Sequence, residues 1–178
     1  RKSKMASGEQ VHAGRDELFA KLTELGIQTN TKDHPEVFTV EEMLPHVQDL
    51  PGAQCKNLFM KDKKKKGLWL LSARHDVEVN LGALSKKVSA PGGLRFADES
   101  ILIEKLGVKQ GCVTPFALIN DKGNDVKFLV DEALLGDKFD FINFHPLTNA
   151  ATTGISPKDF VKFVEATGHT IIPVNLES

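Results

Sequence analysis

The chain has 178 residues, is 40% hydrophobic and carries a formal net charge of −1 from 23 basic and 24 acidic side chains, numbers that fit one globular domain with a full core. No run approaches the roughly 18 consecutive apolar residues of a membrane span, and no charged-then-apolar leader precedes a small-residue cleavage site, so a cytosolic location is expected. Two cysteines, Cys55 and Cys112, are too few and too far apart for a disulfide framework or a zinc site; free thiols and no bound metal are expected.

Near-neutral total charge means that a nucleic-acid-binding surface has to gather its cations locally. They are gathered. Lys56, Lys61, Lys63, Lys64, Lys65 and Lys66 stand together against one acid, Asp62, whereas residues 120–140 hold six acids and three lysines.

In chain order, residues 1–4 precede Met5 and are set aside, and residues 1–14 are expected to form a flexible segment ahead of one domain over 15–178. Leu18, Phe19, Leu22 and Leu25 recur at helical spacing and are followed by Gly26, which predicts an amphipathic helix over 15–25 with a left-handed C-terminal cap. Thr39 stands three residues before Glu42, a capping box that opens a second helix running to about Gln48. Two apolar runs, 57–62 and 68–72, flank Lys63, Lys64, Lys65, Lys66 and Gly67 and predict a β-hairpin with a charged tip. Asn80 and Asp98 are placed to cap helices over 81–87 and 99–106, with a Pro-Gly-Gly turn between them. Runs 114–119 and 126–130 flank a second hairpin signal at 120–124, and 139–144 reads as a further strand. Ser156, Pro157 and Asp159 open a helix to about Thr167, and 170–174 closes the chain as a strand. Hairpins interspersed with helices predict an α/β fold, a mixed sheet covered by helices.

The phosphate loop GxxxxGK[ST], the hydrolase elbow GxSxG and the zinc helix HExxH are absent, so no cofactor is expected. Polar residues at the ends of apolar strands remain as candidates. Lys56 adjoins the buried-looking Leu58, Phe59 and Met60, unlike the lysines of the tip; a cation held in place can stabilise an oxyanion or grip a phosphate, yet the same residue also reads as a lysine snorkelling beside a strand. The loop Gly111, Cys112, Val113, Thr114 and Pro115 either presents backbone amides to a carbonyl or is a tight connection. His145 either orients substrate or shuttles a proton, or is a strand-end histidine bonded to its neighbours. Cys112 lacks a basic partner in view and reads as an inert thiol.

The strings CKNLFMKD (55–62), GCVTPFAL (111–118) and FHPLTNAATTGIS (144–156) together resemble the prolyl-tRNA synthetase-associated, YbaK-like editing domains, and most closely their free-standing alanyl-tRNA(Pro) deacylases. That resemblance implies a largely antiparallel sheet or partial barrel covered by helices. It implies hydrolysis of the ester joining alanine to proline tRNA, with the acceptor end of tRNA(Pro) as partner, prolyl-tRNA synthetase as a second one, and neither DNA nor membrane. A pocket built for a larger cognate cannot firmly exclude a smaller amino acid, whereas a second, tighter pocket can exclude the cognate. Carried over by position, Lys56 anchors the tRNA end with Asn57 assisting, the loop 111–115 and His145 place the aminoacyl ester, and Lys63–Lys66 offer secondary phosphate contacts. An aminoacyl ester is reactive enough that positioning water and stabilising the oxyanion can suffice without a protein nucleophile. Two alternatives stand beside this reading: the same chemistry on tRNA charged with cysteine or serine, and a module that binds tRNA or a synthetase without turnover.

Overall fold

The computed structural model describes residues 12–177. The β-hairpin expected from the two apolar runs is its spine: β2 (Ala53–Asp62) and β3 (Leu68–Arg74) pair antiparallel from Cys55 opposite Arg74 to Lys61 opposite Leu68. Asp62 closes the turn, since its two carboxylate oxygens accept from Lys65 N–H at 2.7 Å, Gly67 N–H at 3.0 Å and the Trp69 indole N–H at 3.2 Å. Burial works against that charge, but the indole and the amides outweigh it and hold the Asp62 carboxyl below its usual range.

Six further strands complete one sheet among the described residues: β1 (Asn30–Asp33), β4 (Leu94–Phe96), β5 (Val126–Asp131), β6 (Ile142–Phe144), β7 (Ala151–Ile155) and β8 (Ile171–Val174). Their order is β1-β7-β6-β2-β3-β5-β8, with β4 attached to β2. The pairs β1–β7, β7–β6, β2–β3 and β2–β4 are antiparallel, and β6–β2, β3–β5 and β5–β8 are parallel. The mixed, mostly antiparallel α/β architecture expected from the sequence is therefore present. Helices α1 (Arg15–Glu24), α3 (Leu81–Val88), α4 (Glu99–Leu106) and α5 (Pro157–Ala166) fall where expected, although Asp98 stands at the start of α4 without a side-chain capping bond. Asn80 accepts from Ala83 N–H at 2.9 Å, and Ser156 accepts from Asp159 N–H at 3.1 Å.

Three expectations need correction: the run 114–119, the second helix, and the start of the first long strand, since β2 begins at Ala53 and takes Lys56 and Asn57 into its middle. Residues 114–119 form no strand; Pro115–Asn120 is a 3₁₀ helix capped by Thr114, and β5 consequently joins β3 in parallel instead of closing a second hairpin. A short apolar run buried on all sides looks the same as strand or helix from periodicity, and here Pro115 at the first turn favours the helical form. The second helix is shorter than expected: α2 is Val40–Met43, followed by a 3₁₀ turn over Leu44–His46, because Pro45 has no N–H to continue the ladder. Strands β1, β4 and β7 were not anticipated; β1 is polar and largely exposed, while the Thr-rich β7 is buried throughout. Residues 1–11 of the segment expected to be flexible lie outside the described residues. Next to them, Ala13 N–H donates to Asn120 Oδ1 at 2.7 Å and His12 Nε2 meets the Glu104 carbonyl at 3.1 Å.

The sheet is covered on both faces. One cluster joins Leu18 and Leu22 of α1, Leu102 and Leu106 of α4, and Phe160 and Phe163 of α5 to Phe116, Phe128 and Phe144. Its rings pack edge-on and stacked, at 5.4 Å for Phe116–Phe163 and 5.1 Å for Phe144–Phe160, and each such burial is worth roughly 1.5–3 kcal/mol. The second cluster sets Met60, Trp69, Leu71 and Leu129 against Leu84 of α3. Away from both faces, Asp121 and His169 form a buried clamp between the end of the 3₁₀ helix and the α5–β8 connection, with Nε2 and Oδ2 2.8 Å apart.

Candidate active site

The middle of β2 is paired on one side only. β3 runs beside it throughout, but on its other side β6 pairs with Ala53 and Gln54 and β4 with Met60, Lys61 and Asp62, so residues 55–59 face no strand there. Neighbouring hydrogen bonds tell which groups look into the gap. Ala53 and Lys63 donate outward to Phe141 and Gly93, and the Phe59 carbonyl accepts from Ala97, while the Gln54 carbonyl and Asp62 N–H bond toward the β3 side. Odd-numbered residues thus turn their backbone polar groups outward, and Asn57 N–H and C=O and Phe59 N–H point into the opening.

A cavity of about 480 Å³ occupies that opening, a size within the range of small-molecule sites. Five consecutive residues of β2, Cys55, Lys56, Asn57, Leu58 and Phe59, line it. A strand met on its face contributes alternate residues; five in a row mean that the cavity meets the strand edge, with its main chain.

Side chains from both faces of β2 then border the same space. Lys56 is half-buried and donates its ammonium to the Val77 carbonyl, in the loop after β3. Asn57 projects to the other face, where its Oδ1 accepts from Ser72 Oγ at 2.6 Å, which leaves Nδ2 as a donor. Gly111 and Val113 line the far wall together with Phe38, Thr39 and Met43 of the α2 entry and Leu102 of α4. Gly111 has φ +92°, and a β-carbon there would sit 3.3 Å from the Phe38 ring in a backbone conformation that side chains rarely adopt.

His145 also lines the cavity. Its Nδ1 lies 2.8 Å from the Ala151 carbonyl; a carbonyl only accepts, so Nδ1 carries the proton and Nε2 is the bare acceptor of the neutral ring. Burial lowers the pKa of His145 from 6.5, the Ala151 carbonyl works against that, and the neighbouring His34, 6.2 Å away ring to ring, adds to the lowering. The neutral ring is therefore the form at pH 7. Because the folded ring resists protonation, its contribution to stability is retained at neutral pH and declines as pH falls below 6.5 toward the lower folded value. In a histidine-selective NMR titration the His145 resonance is expected to move with a midpoint below 6.5; a midpoint at or above that value contradicts the buried, carbonyl-bonded ring.

Other candidates are dispersed. Thr114 and Pro115 are buried under the loop, where Thr114 Oγ1 accepts from Phe116 N–H at 3.3 Å. Cys112 is half-buried beside the cavity wall and burial pushes its thiol up; Cys55, in the wall, is pushed up by full burial as well. Neither is a thiolate nucleophile at neutral pH. Lys63, Lys64, Lys65 and Lys66 stand exposed at the hairpin tip. His34, His46 and His145 lie near one another, but among the described residues no group of three His, Cys, Asp or Glu is arranged to hold a metal ion. Sequence reasoning missed Phe38, Thr39, Met43, Phe96 and Leu102 as cavity residues; the capping box marked Thr39 as a helix start and carried no sign of what that helix would face.

Residues 34–163, which include every residue lining the cavity, match the family model described as the aminoacyl-tRNA editing domain. The chain is 55% identical over 164 residues to Prolyl-tRNA synthetase associated domain-containing protein 1 of Xenopus laevis, covering 92% of this chain and 97% of that one. It is 33% identical over 159 residues to Prolyl-tRNA editing protein ProX of Acetoanaerobium sticklandii, covering 89% and 95%. A crystal structure provisionally described as that of a trans-editing enzyme for prolyl tRNA synthetase superposes with a TM-score of 0.69 at 21% identity, covering 93% of this chain and 99% of that one; that likeness speaks for the fold.

Proposed function

The chain belongs to the aminoacyl-tRNA editing domain family, and from that premise we propose that it is a deacylase that removes alanine wrongly attached to proline tRNA, working apart from the synthetase that made the error. The observation that carries this reading is the cavity at the open edge of β2, where Lys56, Asn57, Gly111, Val113 and His145 converge. Residues 15–178 act in it as one editing domain, in the cytosol, with the acceptor end of tRNA(Pro) as ligand and prolyl-tRNA synthetase as the enzyme whose product it corrects.

The chemistry needs few parts. Hydrolysis of an aminoacyl ester adds water to the carbonyl carbon, passes through an oxyanion, and releases the amino acid and the terminal ribose hydroxyl. Asn57 N–H and Phe59 N–H, turned into the gap, and the Lys56 ammonium supply positive potential to an oxyanion or phosphate in a site whose donors are already oriented. The bare Nε2 of His145 can accept a hydrogen bond from the attacking water or from the substrate ammonium. Neither cysteine is suited to nucleophilic attack, so positioning is the main contribution of the protein. The Gly111 loop keeps the far wall close and the pocket small, which favours alanine over the larger proline.

The test is a deacylation panel on one tRNA(Pro) charged in turn with alanine, serine, cysteine and proline. Alanine is expected to be released at least 100-fold faster than proline, a ratio of the size that steric exclusion yields. Faster release of serine or cysteine reassigns the substrate, and release of none above the buffer rate, with tRNA still bound, makes the protein a binding module.

A further inference from the structure

We propose that the unpaired 3′ strand of the tRNA leaves the cavity across Phe96, with one of its bases stacked on the Phe96 ring and its phosphates against Arg95 and the lysines of the hairpin tip. The proposal rests on the deacylase reading for the identity of the strand, and on the following geometry for its path.

Among the described residues three large hydrophobic side chains are exposed: Phe38 at 63%, Phe96 at 60% and Ile103 at 46%. Phe96 lines the cavity and sits on β4, a three-residue strand paired to β2. Its cross-strand partner is Met60, which is fully buried, while the phenyl ring itself stands mostly exposed at the mouth of the site.

The cations adjoin it. Arg95, exposed, is the next residue on the strand and leans to its other face, opposite Lys61 where Phe96 is opposite Met60, so that a chain crossing this edge meets both. Beyond it the turn before β4 is stitched to the lysine tip: Lys63 N–H donates to the Gly93 carbonyl at 2.9 Å and Lys64 N–H to the Pro91 carbonyl at 3.0 Å. From Phe96 to Gly93 is three residues, about 10 Å along a strand. Two carboxylates also lie nearby, Asp98 at 4.0 Å from the Lys61 ammonium and Glu99, which lines the cavity and accepts from Gln110 N–H at 3.3 Å; the cations outnumber them. An aromatic platform flanked by cations is the pattern that holds a single nucleic-acid strand, since every base has a face to stack and every linkage a charge to neutralise.

The experiment measures the affinity of the full chain for tRNA(Pro) by fluorescence anisotropy at several salt concentrations, together with kinetics on Ala-tRNA(Pro) and on alanyl-adenosine, which has no strand to place. Phe96→Ala is expected to weaken tRNA binding about 5- to 100-fold, the range for loss of one base stack. Its kinetic loss should fall on KM for Ala-tRNA(Pro) and shrink on alanyl-adenosine, and Phe96→Trp should restore binding. Replacing Lys63–Lys66 with serine should flatten the salt dependence by up to about 3 in the log–log slope. Ile103→Ala, an exposed control away from the path, should bind as the parent does. Unchanged affinity in Phe96→Ala, or an equal loss on alanyl-adenosine, overturns the path. Should the parent hydrolyse neither substrate, the deacylase reading falls while the affinity comparison still decides the path.

Discussion

Lys56→Ala is expected to slow deacylation of Ala-tRNA(Pro) by about 100-fold or more, the cost of removing one preorganised donor from a developing oxyanion, while the protein remains folded. The ammonium is not a loose surface charge: the residue is half-buried, lines the cavity, and its ammonium is tied to the Val77 carbonyl in the loop after β3. A carbonyl leaves an ammonium two further N–H donors, enough to meet a phosphate or an ester oxygen. Deleting the side chain releases the Val77 carbonyl to water in a half-open site, which costs on the order of 1 kcal/mol, so the variant should unfold near the parent temperature. Single-turnover rates alongside thermal unfolding separate the two effects. Activity within a few-fold of the parent would falsify the role given to Lys56, and a large fall in melting temperature would show that its bond to Val77 is structural.

The largest effect on stability is expected at Asp121, far from the cavity. Its carboxylate accepts from Val126 N–H at 2.8 Å, Asp125 N–H at 3.1 Å and the His169 ring at 2.8 Å, and both side chains of the pair are 2% exposed. Asp121→Ala leaves the buried Val126 amide and His169 ring without an acceptor, and breaking a buried pair by removing one partner typically costs about 3–5 kcal/mol. Burial opposes the charge, but His169 and the two amides outweigh it and hold the Asp121 carboxyl below the ordinary range. A folded pKa below the unfolded value of about 3.9 stabilises the protein above that pH, and the gain is lost as pH falls through the folded value. Urea unfolding is thus expected to show a large loss for Asp121→Ala at pH 7 that narrows in acid. The double variant with His169→Ala should lose less than the sum of the two single ones. A loss under about 1 kcal/mol at pH 7, or full additivity, would show that the clamp does not hold the α5–β8 connection.

Much of the architecture was legible because it is written in local chemistry. Asn80 and Ser156 mark helix starts by supplying an acceptor to a free amide, and Gly107 ends α4 in the left-handed conformation. The hairpin around the lysines announces itself through two apolar runs and a charged turn. Residues 114–119 are ambiguous in sequence because the same apolar string suits a buried strand or a 3₁₀ helix; Pro115 favours the helix, and the packing of Phe116 against Phe144 and Phe163 fixes it in the core. β1 escaped notice for the opposite reason, since NTKD has no apolar alternation and is a strand only because β7 offers it an edge.

The candidate site divides in the same way. Lys56, Asn57, the Gly111 loop and His145 stand out in the sequence as polar residues beside apolar runs, though only His145 proves to lie at a strand end, and their three strings point to a family. What the sequence by itself determined was which residue types are available and which segments are helix or hairpin, since those follow from neighbours a few positions apart. Tertiary structure alone decided that β6 and β4 share one side of β2 and leave a five-residue gap between them. That gap turns an ordinary strand into an open edge, brings Phe38 and Phe96 to the rim, and makes the main chain of Asn57 and Phe59 part of the site. Strand pairing is a contest among distant segments for the same backbone hydrogen bonds, and no local pattern records its outcome.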